Sequence, residues 1–220
     1  MNTGKAIDSR QDFNTNLHHV LRLADRSYGK GDLSAARELL HRARHLAPAE
    51  CSILSALGSL DYQLGRFDLA AEELAEAARL SPKLAGIHTQ LAAAWLRLGK
   101  KPEFLGAIEE ALRMNPADVN ALRLLTKGHM AEGSWYEAAR VCHRLLILDS
   151  RDREALLSLG KCFFRLEEFE MARLTYERVL ELSPNDAMAR QNLRHVRAQG
   201  QDESSSTDDN PNDDVVVLTA

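Results

Sequence analysis

Aromatic side chains are scarce in this chain. Phe, Tyr and Trp make up 5% of its 220 residues, while Leu and Ala dominate. That mixture suits helices packed on helices better than sheets. Cysteine is also sparse. Cys51, Cys142 and Cys162 are odd in number and far apart, with no CxxC pair and no disulfide framework. A reducing compartment fits that usage best. No apolar run approaches the roughly 18 residues of a membrane-spanning helix, so none is expected. The opening, MNTGKAIDSRQDFN, is polar and lacks an apolar signal core, and neither end carries a readable lipid-attachment signal. The expected location is therefore cytoplasmic. An excess of one charge sign is missing from the body: residues 1–199 hold 28 basic and 26 acidic side chains. Near-neutrality argues against a general nucleic-acid binder.

Familiar reaction chemistry is missing too. There is no phosphate loop, HExxH, GxSxG or dinucleotide fingerprint. His18 and His19 are adjacent and point apart on a helix. His41 and His45 share a helical face that would suit a metal, but no third ligand accompanies them. His88 and Cys142 fall in otherwise apolar columns and read as packed side chains. Cys162 has no partner that would activate it convincingly. Glu109–Glu110 and Glu167–Glu168 read as solvated charge. The expectation is a protein that is not an enzyme, with no cofactor and no metal site.

What the chain does have is a period. Pro82 and Pro116 are 34 residues apart, and the interval recurs as Pro48, Pro82, Pro116 and Pro184, with Ser150 in the gap. Gly31, Gly65, Gly99 and Gly133 keep the same spacing, then Glu167 replaces the glycine. Leu23, Leu57, Leu91, Leu125 and Leu159 form an unbroken column, and Ala36, Ala70, Ala138 and Ala172 another, with Phe104 as its exception. No insertion disturbs the register over five units.

Each unit reads as a helix–turn–helix hairpin. Its first half places apolar residues at helical spacing, as in Leu54, Leu57, Leu60 and Leu64. A glycine follows where the chain must turn tightly. A second helix with small residues allows close approach, and proline stops it. The hairpins are expected at 14–46, 50–80, 84–114, 118–148 and 152–182, with a last helix over about 186–198. Residues 1–13 are expected to be a frayed lead-in and residues 200–220 a disordered acidic tail ending in Val215–Val216–Val217–Leu218. Two departures stand out. Lys101 interrupts the aromatic column Phe67, Trp135, Phe169, and Phe104 is expected to fill the space. Glu167 suggests that the chain there continues in a right-handed turn.

These columns resemble the tetratricopeptide repeat family over roughly residues 14–199. The resemblance implies an all-α fold: a right-handed α-solenoid of five hairpins plus a C-terminal capping helix. In that family the first helices of successive hairpins line a concave groove, which carries over here to Ser52, Ser55, Ser59 and Tyr62, then Thr89, Gln90, Ala93 and Arg97. Asn120, Arg123, Lys127 and Met130 follow, then Glu154, Leu157, Ser158, Lys161, Phe164 and Arg165, with Gln191 and His195 on the cap. The basic members of this set would favour carboxylates of an extended peptide; the alternative is ordinary solvated charge. Family members that bind acidic C-termini of heat-shock proteins use a fixed Lys, Asn and Arg set. Here Lys127 and Ser158 stand in place of asparagines and Met188 in place of a lysine, so that role is not expected.

The leading functional expectation is a non-catalytic adaptor that grips a peptide or helix of a partner protein, with an acidic partner and ordinary solvated charge left as equal alternatives for the basic groove. A chaperone or assembly factor for a secretion or surface-organelle system is the second reading. An oligomerising accessory subunit of an enzyme complex is the third. Neither nucleic acid nor membrane insertion is expected.

Overall fold

The computed structural model describes the backbone of residues 4–206 and the side chains of residues 15–199. Among the described residues there are eleven α-helices and no strand. The helices are α1 (Gly4–Gly29), α2 (Leu33–Leu46), α3 (Cys51–Gln63), α4 (Phe67–Leu80), α5 (Ala85–Arg97), α6 (Lys101–Met114), α7 (Val119–Ala131), α8 (Trp135–Leu148), α9 (Arg153–Arg165), α10 (Phe169–Leu182) and α11 (Ala187–Ser206). The ten helices of the five expected hairpins are all present. At the ends the helices outrun the expectation: α1 is helical from Gly4, and α11 continues through Gly200 to Ser206. No proline interrupts either extension, and one glycine inside a helix costs only about 1 kcal/mol. Val215 to Leu218 and the rest of the expected tail beyond Ser206 lie outside the described residues.

The chain divides into two compact units, residues 1–124 and 125–220. In the first, α1 packs on α2, α3 on α4 and α5 on α6, and each hairpin packs on the next through α2 with α3 and α4 with α5. Its N-terminal core joins Val20, Ala24, Ala36, Leu40 and Ala43 to Ile53, Leu57 and Leu60. In the second unit, α9 packs between α8 and α10, and α11 covers α10 and touches α9. Its core runs from Ala138 and Cys142 through Leu156, Leu159 and Cys162 to Tyr176, Val179, Leu193 and Val196. The apolar face of α11 is thereby buried against the preceding hairpin, which is what a terminal cap must do.

Small residues set how closely the helices of a hairpin approach. A Cβ on Gly58 would lie 2.5 Å from Leu74 Cγ, and one on Gly160 would lie 2.6 Å from the Tyr176 ring. The large side chain on the second helix therefore uses the space that a side chain on the first leaves empty. Phe104 is buried to 1% exposure, one helical turn after the position that Phe67, Trp135 and Phe169 occupy in the second, fourth and fifth hairpins.

The turn inside each hairpin is the same object five times. The backbone N–H of Asp32, Arg66, Lys100, Ser134 and Glu168 donates to the carbonyl of Ser27, Asp61, Trp95, His129 and Phe163 respectively. This six-residue closure requires a left-handed residue just before the donor. Gly31, Gly65, Gly99 and Gly133 supply it at φ 79°, 75°, 68° and 73°. The expectation of a right-handed continuation at Glu167 is overturned: Glu167 has φ 62° and makes the same turn. The Glu168–Phe163 bond, together with Phe164 set edge-on against Phe169 at 5.7 Å, outweighs the roughly 1–2 kcal/mol that a Cβ costs in this conformation.

First helices of the later hairpins are capped by a further repeating residue. Asp118 accepts from the N–H of Asn120 and Ala121, Asp152 from Glu154 and Ala155, and Asp186 from Ala189. Each cap satisfies N–H groups that a helix start leaves without partners.

Candidate functional site

The first helices present the side chains singled out from the sequence, and the two units treat them differently. In the first unit, Gln90 on α5 is exposed and accepts a hydrogen bond from Ser55 on α3 at 3.1 Å. Tyr62 is half-buried, edge-on to Phe67 at 5.3 Å. Asn120 is exposed, and Arg123 is half-buried with its Nε sealed from solvent. Thr89 does not face outward as expected: it is buried, and its hydroxyl donates to Asp118 at 3.2 Å. The position is drawn inward because it reaches the cap of the next hairpin.

In the second unit, Lys127 on α7 and Lys161 on α9 occupy the same repeat position and both are exposed. Lys127 lies 3.4 Å from Glu154, the lysine side chain 64% exposed and the glutamate 46%. Ser158 and Phe164 are half-buried. Leu157, expected on the exposed face, is instead part of the core, because it sits where α9 contacts its neighbours.

Two arginines from the expected groove turn out to be held by aromatics. The Arg97 guanidinium lies 4.2 Å from the Phe67 ring centroid, and Arg165 lies 4.6 Å from that of Trp135. In both pairs the arginine, on the last turn of a first helix, follows its aromatic by thirty residues. Where that aromatic is absent, at Leu33 and Lys101, the position thirty residues on holds Gln63 and Ala131 rather than arginine. Phe169 departs from the pairing, since the position thirty residues on holds Gln199, so the spacing alone does not predict the stack. A stacked guanidinium keeps N–H groups for a ligand, but part of its attraction is already spent within the fold.

A denser polar cluster ties α2 to α3 and α4, which sequence reasoning had not connected. Arg37 on α2 donates to the fully buried Asp61 on α3 at 2.6 Å. Arg44 on α2 bridges Glu73 and Glu76 on α4 at 2.5 and 2.7 Å. Between them sits His41, which burial and the nearby Arg37 keep more easily deprotonated than an ordinary histidine. Burial pushes the Glu73 carboxyl upward against the pull of Arg44. In the second unit, Arg153 on α9 pairs with Asp186 at the start of α11 and holds its carboxyl below the usual carboxylate range. These are fastenings between consecutive hairpins.

Among the described residues no group of three or more His, Cys, Asp or Glu could hold a metal ion, and His88 faces the Pro82 carbonyl at 3.1 Å. Cys142 and Cys162 meet in the core of the second unit, where their mutual hydrogen bond and burial push the Cys142 thiol far upward. Among the described residues no helix is long and apolar enough to cross a membrane.

Known proteins agree with the architecture. The family model described as tetratricopeptide repeat matches residues 21–85, 55–119 and 127–187, so this chain belongs to the tetratricopeptide repeat family. It is 32% identical over 78 residues to human peptidyl-prolyl cis-trans isomerase FKBP4 and 27% identical over 81 residues to the general transcriptional corepressor trfA of Dictyostelium discoideum. Those matches cover 33% and 37% of this chain but only 17% and 6% of the relatives. Among solved structures, MamA from Desulfovibrio magneticus RS-1 is similar with a TM-score of 0.72 at 18% identity, over 78% of this chain and 97% of that one. YrrB, described as a TPR protein with an unusual peptide-binding site, gives a TM-score of 0.67 at 16% identity, over 81% and 96%. The fold is thus an all-α helical repeat of the solenoid class, and a repeat array of this kind serves protein–protein interaction.

Proposed function

We propose that the protein is a non-catalytic adaptor that holds a peptide or helix of a partner protein on its first helices, and that the part of the partner held by the second unit is acidic. The observation carrying this reading is the pair Lys127 and Lys161, two exposed ammonium groups in the same repeat position. Lys127 lies near the carboxylate of Glu154, and that pair is about half in solvent. An exposed pair of this kind contributes at most about 1 kcal/mol, so an incoming carboxylate displaces it at little cost. Ser158 and Phe164 would flank the contact with a hydroxyl and an apolar edge, and Arg165 would add the N–H groups its stacking leaves over.

The test is the double charge reversal Lys127→Glu with Lys161→Glu. Partners captured from a lysate and quantified by mass spectrometry should fall by about tenfold, while the circular dichroism spectrum stays that of the parent. Unchanged recovery of every partner would sink the acidic-partner reading. Arg123 is a poorer target, because a carboxylate placed at its sealed Nε would disturb folding as well as binding.

One observation bears on the accessory-subunit reading. Tyr136, Ile147, Met171 and Leu174, all exposed, lie on the second helices α8 and α10. Self-association would use those outer faces and leave the first helices available. Light scattering on the eluting protein distinguishes the cases: a monomer mass excludes the self-associating subunit.

A further inference from the structure

The first unit contains a cavity of about 230 Å³ between α1, α2 and α3. Its floor is apolar and well packed: Ala24, Ala36, Leu40 and Leu60 are each less than 9% exposed. The space exists because Ala24, Ala36 and Ala56 bring only methyl groups to a junction of three helices. One end is closed by an inter-helix clasp, in which Gln63 Nε2 donates to the Tyr28 hydroxyl at 3.0 Å. The exposed carboxylate of Asp25 stands at the rim. A lining of this kind, apolar below with one charge at the lip, is the usual chemistry of a side-chain pocket.

Resting on the adaptor reading above, we infer that this cavity takes one leucine- or phenylalanine-sized side chain of the partner, with a lysine or arginine beside it in the partner's sequence facing Asp25. The sign of the rim decides the neighbour. The repeat position of Asp25 is occupied by Ser59, Ala93, Lys127 and Lys161 in the later units. The carboxylate is therefore peculiar to the first repeat and opposite in charge to the lysines proposed to hold acidic residues. The apolar anchor supplies the affinity, since it removes hydrocarbon from water onto a floor of buried apolar side chains. The rim charge supplies the preference, which at an exposed site amounts to about a twofold to fivefold difference.

The experiment titrates the full-length, nitrogen-15-labelled chain with two probes, acetyl-Lys-Leu-amide and acetyl-Glu-Leu-amide, and follows amide shifts. The expected result is saturable shifts at Ala24, Ala36, Ala56 and Leu60 with millimolar probe, with the lysine probe about twofold to fivefold the tighter. Ala56→Leu fills the cavity and should weaken binding at least tenfold; Ser59→Leu serves the same purpose if the first substitution disturbs the fold. Asp25→Asn should make the two probes equal. Absent shifts, or shifts unchanged in both filled variants, overturn the pocket. Equal binding of the two probes to the unmodified chain overturns the choice of a basic neighbour. Because every probe and variant here concerns the first unit, either failure leaves the Lys127 and Lys161 reading standing, and its own failure leaves the pocket standing.

Discussion

Glu167 is the residue at which local preference and repeat architecture collide. Four of the five turns use glycine at positive φ, and the fifth forces a glutamate to φ 62°. Since the Glu168 to Phe163 bond fixes the backbone, removing the Cβ relieves strain without changing the turn. The gain is reduced by the extra freedom glycine gives the unfolded chain. Glu167→Gly should therefore stabilise by about 0.5–1 kcal/mol, read as a higher denaturation midpoint at unchanged slope. A lower midpoint would mean that the glutamate side chain is holding something in place. From the sequence the substitution suggested a different turn. It was misread because propensity was weighed one residue at a time, whereas the conformation is imposed by a hydrogen bond that spans six residues.

At the scale of the element, two of the five hairpins are held by an arginine that reaches back from the following first helix. Arg97 on Phe67 and Arg165 on Trp135 pin the end of one first helix to the start of the preceding second helix. If the Arg165 stack stabilises the fold, a double-mutant cycle of Arg165→Gln and Trp135→Leu should show a coupling of about 0.5–1 kcal/mol in unfolding free energy. Zero coupling would return Arg165 to the solvent and to partner binding alone. The helices from α2 to α10 were legible in the sequence to within a residue or so, because the glycine and proline columns mark where each must stop, whereas α1 and α11 run beyond the expected ends, where no proline intervenes. The inward turn of Thr89 and Leu157 was not, since a helical wheel shows which residues share a face but not which neighbour that face meets.

At the scale of the whole molecule, the chain consists of two compact units, each with one tryptophan: Trp95 in the first and Trp135 in the second. The first unit is fastened by a fully buried carboxylate, Asp61, held by Arg37. Removing Asp61 takes a charge-assisted hydrogen bond from Arg37, whose side chain is one-fifth exposed, a loss of about 1–3 kcal/mol. In a repeat protein, stability is a sum over neighbours rather than one global quantity. Asp61→Ala should therefore lower the unfolding midpoint seen by Trp95 in a Trp135→Phe background. It should move the midpoint seen by Trp135 much less in a Trp95→Phe background. Equal displacement of both would show that the units unfold as one.

The division between what sequence and tertiary structure each decide follows from the range of the forces involved. A period of 34 residues, small residues at the helix contacts and terminators at each end determine the hairpins, because those preferences act within one or two turns of chain. Which charges lie over aromatic rings and which stand in solvent was decided only by folding. Arg97 and Arg165 look like Lys127 and Lys161 in the sequence, yet the first two lie over aromatic rings and the lysines stand in solvent. The cavity beneath Asp25 likewise arises only where three helices meet, since an empty space belongs to no single residue and leaves no mark in the order of the chain.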